Sequence, residues 1–323
     1  QITVLLHVDD FFITSKSERA LQQAKKTLLS AFDKVAFHEG ETHNYLKMKF
    51  DFSHPHYVSI NQYGFIHGLT EYYNITETEL TPATKDLRKT PASPELNEQA
   101  KDGFHSLAYK MLYLAKRARP DILVATRFLS TRVQKPTEAD AEKAYHCLRY
   151  LNGTKELGLR LNAFDPIHVT QCVDAAHAVH ENMRSHSGSI STLGLGAIDA
   201  GSTALDMNTK SACESEYVSL SDNITNAIFM RNFLIAQGYD EHPAVVMQDN
   251  EAAIKLAENG FSSAMRTRHI NIRYFFVKDR IAKGEIEVQY CPTKLMIADC
   301  LTKPVQGQLF LELRDLLLGY KQA

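Results

Sequence analysis

The sequence predicts an α/β (α+β) chain, and three patterns carry that expectation. Short β-branched and aromatic runs recur along it, among them ITVLLHV, HYVSINQ, PAVVMQDN and EIEVQYCP. Between them lie segments whose apolar residues repeat at helical spacing, most clearly ESEYVSLSDNITNAIFMRNFLIAQGY. Acids then stand where strands end or helices begin, as in CVDAAH, MQDN and IAD. A length of 323 residues suggests two or three compact units.

Taken in order, ITVLLHV and FFITS are joined through Asp9 and Asp10. Aspartate suits a tight turn better than a strand interior, so one reading is a hairpin with an acidic turn. The other is a hairpin built to hold paired carboxylates at a divalent metal. Ala20, Leu21, Ala24, Leu28, Leu29 and Phe32 then form a helical stripe, with Ser17 as its cap. YLKMKFDF reads as one strand, HYVSINQ as the next and QYGFIHGLTEYYNI as a helix. TPATKDLRKTPASPELNEQA is rich in Pro, Thr and Ser and reads as a loop or linker.

The middle of the chain is basic. Lys110, Lys116, Arg117, Arg119, Arg127, Arg132 and Lys135 face only Asp121. Pro120 suits a first helical turn, with Ile122, Ala125, Leu129 and Val133 as the apolar stripe. A second helix over 137–151 stops near Asn152-Gly153. Such a run is either a solvated face or one that tracks phosphates. Beyond Gly153, strands ELGLRLN and IHVTQCVDA precede two more in small-residue surroundings. A long helix, a strand, two helices, a strand and a last helix, QGQLFLELRDLLLG, follow.

Composition narrows the classes. Lys and Arg total 36 against 38 Asp and Glu, a net charge of -2, so any nucleic-acid face must come from local clustering. The five cysteines (Cys147, Cys172, Cys213, Cys291 and Cys300) form no CxxC pair and suggest reduced thiols inside a cell. No apolar run reaches the roughly 20 residues of a membrane span. The strand-like start at Gln1 suggests a segment of a longer polyprotein.

Four acids sit at element boundaries: Asp174, Glu216, Asp249 and Asp299. Each has an ordinary reading as a helix cap or first-turn acid. Together, on an α/β sheet, they point to a ligand beyond the strand ends. Carboxylates suit Mg²⁺, whereas Cys or His ligands would suggest zinc.

V-D-D between apolar strands, then YLKMKFDF, resembles the palm of a copia-type retrotransposon reverse transcriptase, which writes YVDD and YLGMxF. His7 replaces the Tyr and Lys47 the Gly. YLAKRARPDILVATRFLSTRVQKPTEADAEKAYHCLRYLNGT resembles the segment after the thumb. CVDAAHA, SACESEY, DNEAAI and ADCLTKP resemble, in order, the ribonuclease H motifs S-D-A-D-W-A, S-S-x-E-A-E-Y, D-N-x-x-A-I and A-D-x-L-T-K-P. The resemblance implies a partial palm over 1–80, a linker and helical thumb/connection over 81–155, and over 156–323 a ribonuclease H-like mixed five-stranded sheet flanked by helices.

It further implies endonucleolytic hydrolysis of RNA in RNA–DNA hybrids with two Mg²⁺ ions, Mn²⁺ being a substitute. Asp174 would bridge both ions, Glu216 and Asp249 would hold one, and Asp299 would help hold the other. Glu214 is the fallback for Glu216, and Ala176 replaces a further family acid. Asp9 and Asp10 would be metal ligands of DNA synthesis, which needs another aspartate from a longer chain. Asn208, Thr209, Gln248 and Asn250, beside the ligands, are candidates to read RNA 2′-hydroxyls. Lys116, Arg117 and Arg119, and a second stretch of Arg266, Arg268, Arg273, Lys278, Arg280 and Lys283, would grip the backbone. His269 is retained in RTRHINIRYFFV and joins that face, while Asn271 and Phe275 replace the family's Asp and His. Implied partners are the hybrid, template and primer, and the rest of the polyprotein. The implied location is a cytoplasmic virus-like particle or the nucleus. A decayed element that binds nucleic acid without cutting it is the alternative.

Overall fold

In the computed structural model, residues 1–259 and 268–322 are described, without the side chains of 268–271. β1 (Thr3–His7) and β2 (Asp10–Thr14) form the expected hairpin, with His7 opposite Asp10. Val8 turns the chain at φ 54°, leaving Asp9 in the turn and Asp10 at the head of β2. α1 (Glu18–Ala31) follows, and the Ser17 hydroxyl accepts the Ala20 N–H as the cap.

YLKMKFDF is not one strand. β3 (Thr42–Tyr45) and β4 (Met48–Asp51) are separate and antiparallel, because Leu46 and Lys47 are both left-handed at φ 49° and 58°. Two such residues make the turn whose twist matches a hairpin, here without the usual Asn or Gly. β5 (Val58–Asn61) and α2 (Tyr63–Tyr72) come next. The stretch expected to be linker runs into α3 (Glu98–Ala115), whose first turn takes its last three residues, Glu98 to Ala100, and which Asn97 caps. A 3-10 turn at Pro120–Ile122 opens α4 (Leu123–Arg132). α5 (Glu138–Gly153) starts in a capping box between Thr137 and Asp140.

β6 (Leu159–Ala163) pairs with β5, across the boundary expected at 155/156. The remaining elements are β7 (Thr170–Ala176), β8 (His186–Thr192), β9 (Gly194–Leu195), β10 (Asp199–Ala204) and α6 (Ala212–Ala236). They continue with β11 (Ala244–Gln248), α7 (Glu251–Asn259), α8 (Arg268–Ala282), β12 (Ile286–Tyr290), α9 (Asp299–Thr302) and α10 (Gly307–Leu317). One sheet runs β3-β4-β5-β6-β9. The other runs β10-β8-β7-β11-β12, the mixed five-stranded sheet of the ribonuclease H resemblance. Its first two pairings are antiparallel and its last two parallel.

Two main cores hold these layers. Val173, Tyr217, Ile224, Val246 and Val277 fill the space between the mixed sheet and α6, α7 and α8. Leu107, Met111, Leu129 and Leu148 join Leu301, Phe310, Leu313 and Leu317 in the other. The C-terminal helices therefore close the core built by α2 to α5. Among the described residues no helix is long and apolar enough to cross a membrane.

Arg119 corrects an expectation. It is fully buried and bonded to Asp121 at 2.7 Å, so it cannot lie on a phosphate-tracking face.

Candidate metal centre

Asp174 lies near the end of β7, opposite Gly188 of β8. β11 runs parallel to β7, so the end of β11 emerges beside it and delivers Asp249 just past Gln248. α6 crosses the same edge. Its Ser219 hydroxyl donates to the Asp174 carbonyl at 3.0 Å, which sets the register of helix on strand. Glu216, one turn earlier, thereby faces Asp174. A ligand oxygen from each of Asp174, Glu216 and Asp249 lies within 4.8 Å of the others.

The electrostatics follow from that crowding. Asp174 and Glu216 are 5% and 7% exposed. Burial pushes the Asp174 carboxyl up to about 7; the Thr302 hydroxyl, 2.6 Å from Oδ2, opposes this, and the nearby Asp299 charge adds to it. Burial, then repulsion from Asp174 and Asp249, pushes Glu216 up to about 9. Converging carboxylates whose ionised forms are this disfavoured suit a hard divalent cation with oxygen ligands. No Cys or His belongs to the group, so the donor set is not that of a zinc site.

The structure separates the two glutamates. Glu214 is half-buried and accepts the Lys210 N–H, outside the acidic group, while Glu216 lies within it. Asp299 departs from the expected set. It is buried at the head of α9, but its Oδ1 lies 2.7 Å from Lys303 Nζ, one helical turn on, and it stands outside the three-acid group. Thr302 links the two neighbourhoods, its Oγ1 lying 2.6 Å from Asp174 Oδ2 and 3.1 Å from the Asp299 carbonyl oxygen. Asp9 and Asp10 are exposed, and the group includes neither.

The polar candidates divide as well. Gln248 is fully buried; it donates to Glu216 at 3.4 Å and accepts the Asn250 N–H, so it supports the site from within rather than reading a hydroxyl. Thr209 is also buried, 2.9 Å from Ser185 Oγ and 2.7 Å from Ser215 Oγ, beside His177. Asn250 caps α7 through the Ala253 N–H, and Asn208 is exposed. Lys116 and Arg117 are exposed, although Lys116 Nζ donates to the Ala200 carbonyl and Arg117 lies over Tyr113.

In the second basic stretch Arg273 meets Asp222 at 3.1 Å, Arg280 meets Asp279 and Glu285, and Lys283 meets Asp279. Much of that charge is thus spent locally. Arg266 and the side chains of Arg268 and His269 lie outside the described residues. Sequence reasoning missed Thr302 and Lys303. The spacing of Asp299 and Lys303, four residues apart, was the available signal for the pair.

Gly188 makes room for α9. A Cβ there would lie 2.7 Å from Thr302 Cγ2 and 2.8 Å from the Ala298 carbonyl oxygen. Gly188→Ala is expected to push α9 off the sheet at a cost of about 1–3 kcal/mol. The melting temperature should fall by on the order of 5 °C. An unchanged melt would show that α9 adjusts freely.

The chain is 28% identical over 98% of its length to the Retrovirus-related Pol polyprotein from transposon TNT 1-94 of Nicotiana tabacum. It is 27% identical over 96% to that from transposon RE1 of Arabidopsis thaliana. Its homologues are copia-type Pol polyproteins. The chain spans 24% and 21% of the length of these two Pol polyproteins. No family model matches it. Among solved structures, a foamy viral protease-reverse transcriptase in complex with an RNA/DNA hybrid superposes with a TM-score of 0.52 at 12% identity. That match covers 90% of this chain and 36% of the other, and it shows a shared fold. Fold and homologues together agree with the resemblance to copia-type reverse transcriptase and ribonuclease H.

Proposed function

We propose that the chain cleaves RNA in RNA–DNA hybrids endonucleolytically, with divalent metal held by Asp174, Glu216 and Asp249. The convergence of these three carboxylates within 4.8 Å, two at strand ends of the mixed sheet and one on α6, carries this reading. When bound, a pair of Mg²⁺ ions would supply Lewis-acid stabilisation of the attacking and leaving oxygens. The chain contributes the fixed placement. Thr302 and Gln248 hold the Asp174 and Glu216 carboxylates through hydrogen bonds of 2.6 and 3.4 Å. Burial of both acids excludes water from their inner faces and strengthens every charge interaction there. Asp299, paired with Lys303, stands outside the three-acid group and would help hold a second cation. In a longer polyprotein within a virus-like particle, Asp9 and Asp10 would serve DNA synthesis beside a further aspartate.

A labelled hybrid incubated with Mg²⁺ tests this. The protein should cut the RNA strand. Asp249→Asn should reduce cutting by on the order of 10²-fold while leaving hybrid affinity within about twofold. Cleavage that survives the substitution at full rate would refute the assignment.

A further inference from the structure

A cation that no carboxylate among the described residues pairs lies beside the carboxylate centre. Arg88, in the segment between α2 and α3, donates through Nη2 to the Thr302 carbonyl at 2.5 Å, at the C-terminal end of α9. Gln306 ties the same segment down through the Ala83 carbonyl at 2.7 Å. Burial is the cause that draws the Arg88 guanidinium down to about 10, and no carboxylate among the described residues offsets it. A guanidinium in that position gains from an anion.

A cavity of about 220 Å³ adjoins it, lined by Arg88, Thr90, Thr131, Arg132, His180 and Asn182. Hydroxyl, amide and guanidinium groups converge there from three parts of the chain. The one acid in the wall, Glu181, accepts the Thr90 hydroxyl. Within the wall Arg88 and Arg132 stand against the single carboxylate of Glu181, and Asp140, which does not line the cavity, holds Arg132 at 3.2 Å. His180 is held below its ordinary value by burial and then by Arg88 and Arg184, and its Nε2 lies 2.9 Å from His186 Nδ1. Several donors around one net positive charge suit a tetrahedral oxyanion.

The location selects the anion's source. His180 and Asn182 belong to the loop that leaves β7 just after Asp174. Thr302 is shared, its carbonyl held by Arg88 and its hydroxyl by Asp174. We propose that this cavity is a second phosphate site, which takes a backbone phosphate of a bound hybrid while the carboxylate centre faces another. The proposal rests on the nuclease reading for its ligand, and its test separates the two.

Hybrid binding by the full chain, followed by fluorescence anisotropy in EDTA over a KCl series, reads the site directly. Arg88→Gln should weaken binding three- to tenfold and lower the slope of log K against log salt by about one. Arg88→Lys keeps the charge and should keep the slope. Asn182→Asp adds a negative charge at an exposed position whose Oδ1 already accepts the Arg184 N–H, so it leaves the fold intact. It too should weaken binding and flatten the slope, and it carries the test alone should Arg88→Gln not fold. Parental affinity and slope in both variants would overturn the phosphate site while leaving hybrid cleavage by the parent untouched. The expected losses in a parent that does not cut with Mg²⁺ would sustain the site and overturn the nuclease. A parent that ignores the hybrid at every salt, or binds inorganic phosphate alone, overturns the site as proposed.

Discussion

Asp174→Asn is expected to lower Mg²⁺-dependent hybrid cleavage roughly 10⁴-fold and, in the same protein, to raise thermal stability without metal at about pH 8. Both effects come from one carboxylate. Asp174 is the acid that burial, Asp299 and Asp249 act on together, so its ionised form is the one a cation would relieve. Asparagine keeps an acceptor for the Thr302 hydroxyl at the position of Oδ2 and removes the charge.

The pH dependence has a definite sign. The native carboxyl titrates near 7, the unfolded one near 3.8. Its contribution to stability is intact below the unfolded value and is lost as the pH rises through about 7. Above that window the parent carries the full cost of a buried charge, up to about 4 kcal/mol at ~1.4 kcal/mol per pH unit. Asn carries none of it. The gain in melting temperature should therefore be largest near pH 8 and vanish near pH 4. Saturating Mg²⁺ should raise the parent and leave the variant unmoved. Melts in EDTA at the two pH values decide the matter, since equal curves for parent and variant at pH 8 would mean that Asp174 is not desolvated.

Much of this site was legible because its acids occupy the ends of strongly patterned elements. Short β-branched runs marked β7 and β11, helical spacing marked α6, and parallel pairing of β7 with β11 brings Asp174 and Asp249 to one edge. Local patterns failed where a partner was distant or a turn was unusual. Leu46 and Lys47 carry none of the usual turn chemistry, so their hairpin was invisible. β6 was assigned with the strands after it, yet its ladder partner is β5, a pairing no local window contains. The stripe of Phe104, Leu107, Ala108, Met111, Leu114 and Ala115 in α3 was readable at helical spacing, but the preceding Pro-rich run masked the start of that helix. Charge misled most. Arg119 looked like its solvated neighbours, because burial of a basic residue depends on what surrounds it in three dimensions.

That burial sets up the largest stability effect expected of the fold. Arg119 Nε and Nη2 grip both oxygens of Asp121 at 2.9 and 2.7 Å, and Nη1 and Nη2 reach the carbonyl and hydroxyl of Thr154. Tyr150 completes the set by donating to Asp121 at 2.6 Å. Arg119, Asp121 and Tyr150 are each no more than 1% exposed, so every donor and acceptor must be satisfied internally. The network joins the turn before α4 to the end of α5, in the core that α10 closes. Asp121→Ala would strand a guanidinium in that core at a cost of about 3–5 kcal/mol. The melting temperature should drop by on the order of 10 °C. The double variant Arg119→Met with Asp121→Leu removes both charges and should recover much of the loss, since an apolar pair of similar bulk leaves no buried ion unpaired. Hybrid affinity should stay parental in that double variant, because the Arg119 charge is internal. A loss of affinity with a recovered melt would instead return Arg119 to the nucleic-acid face.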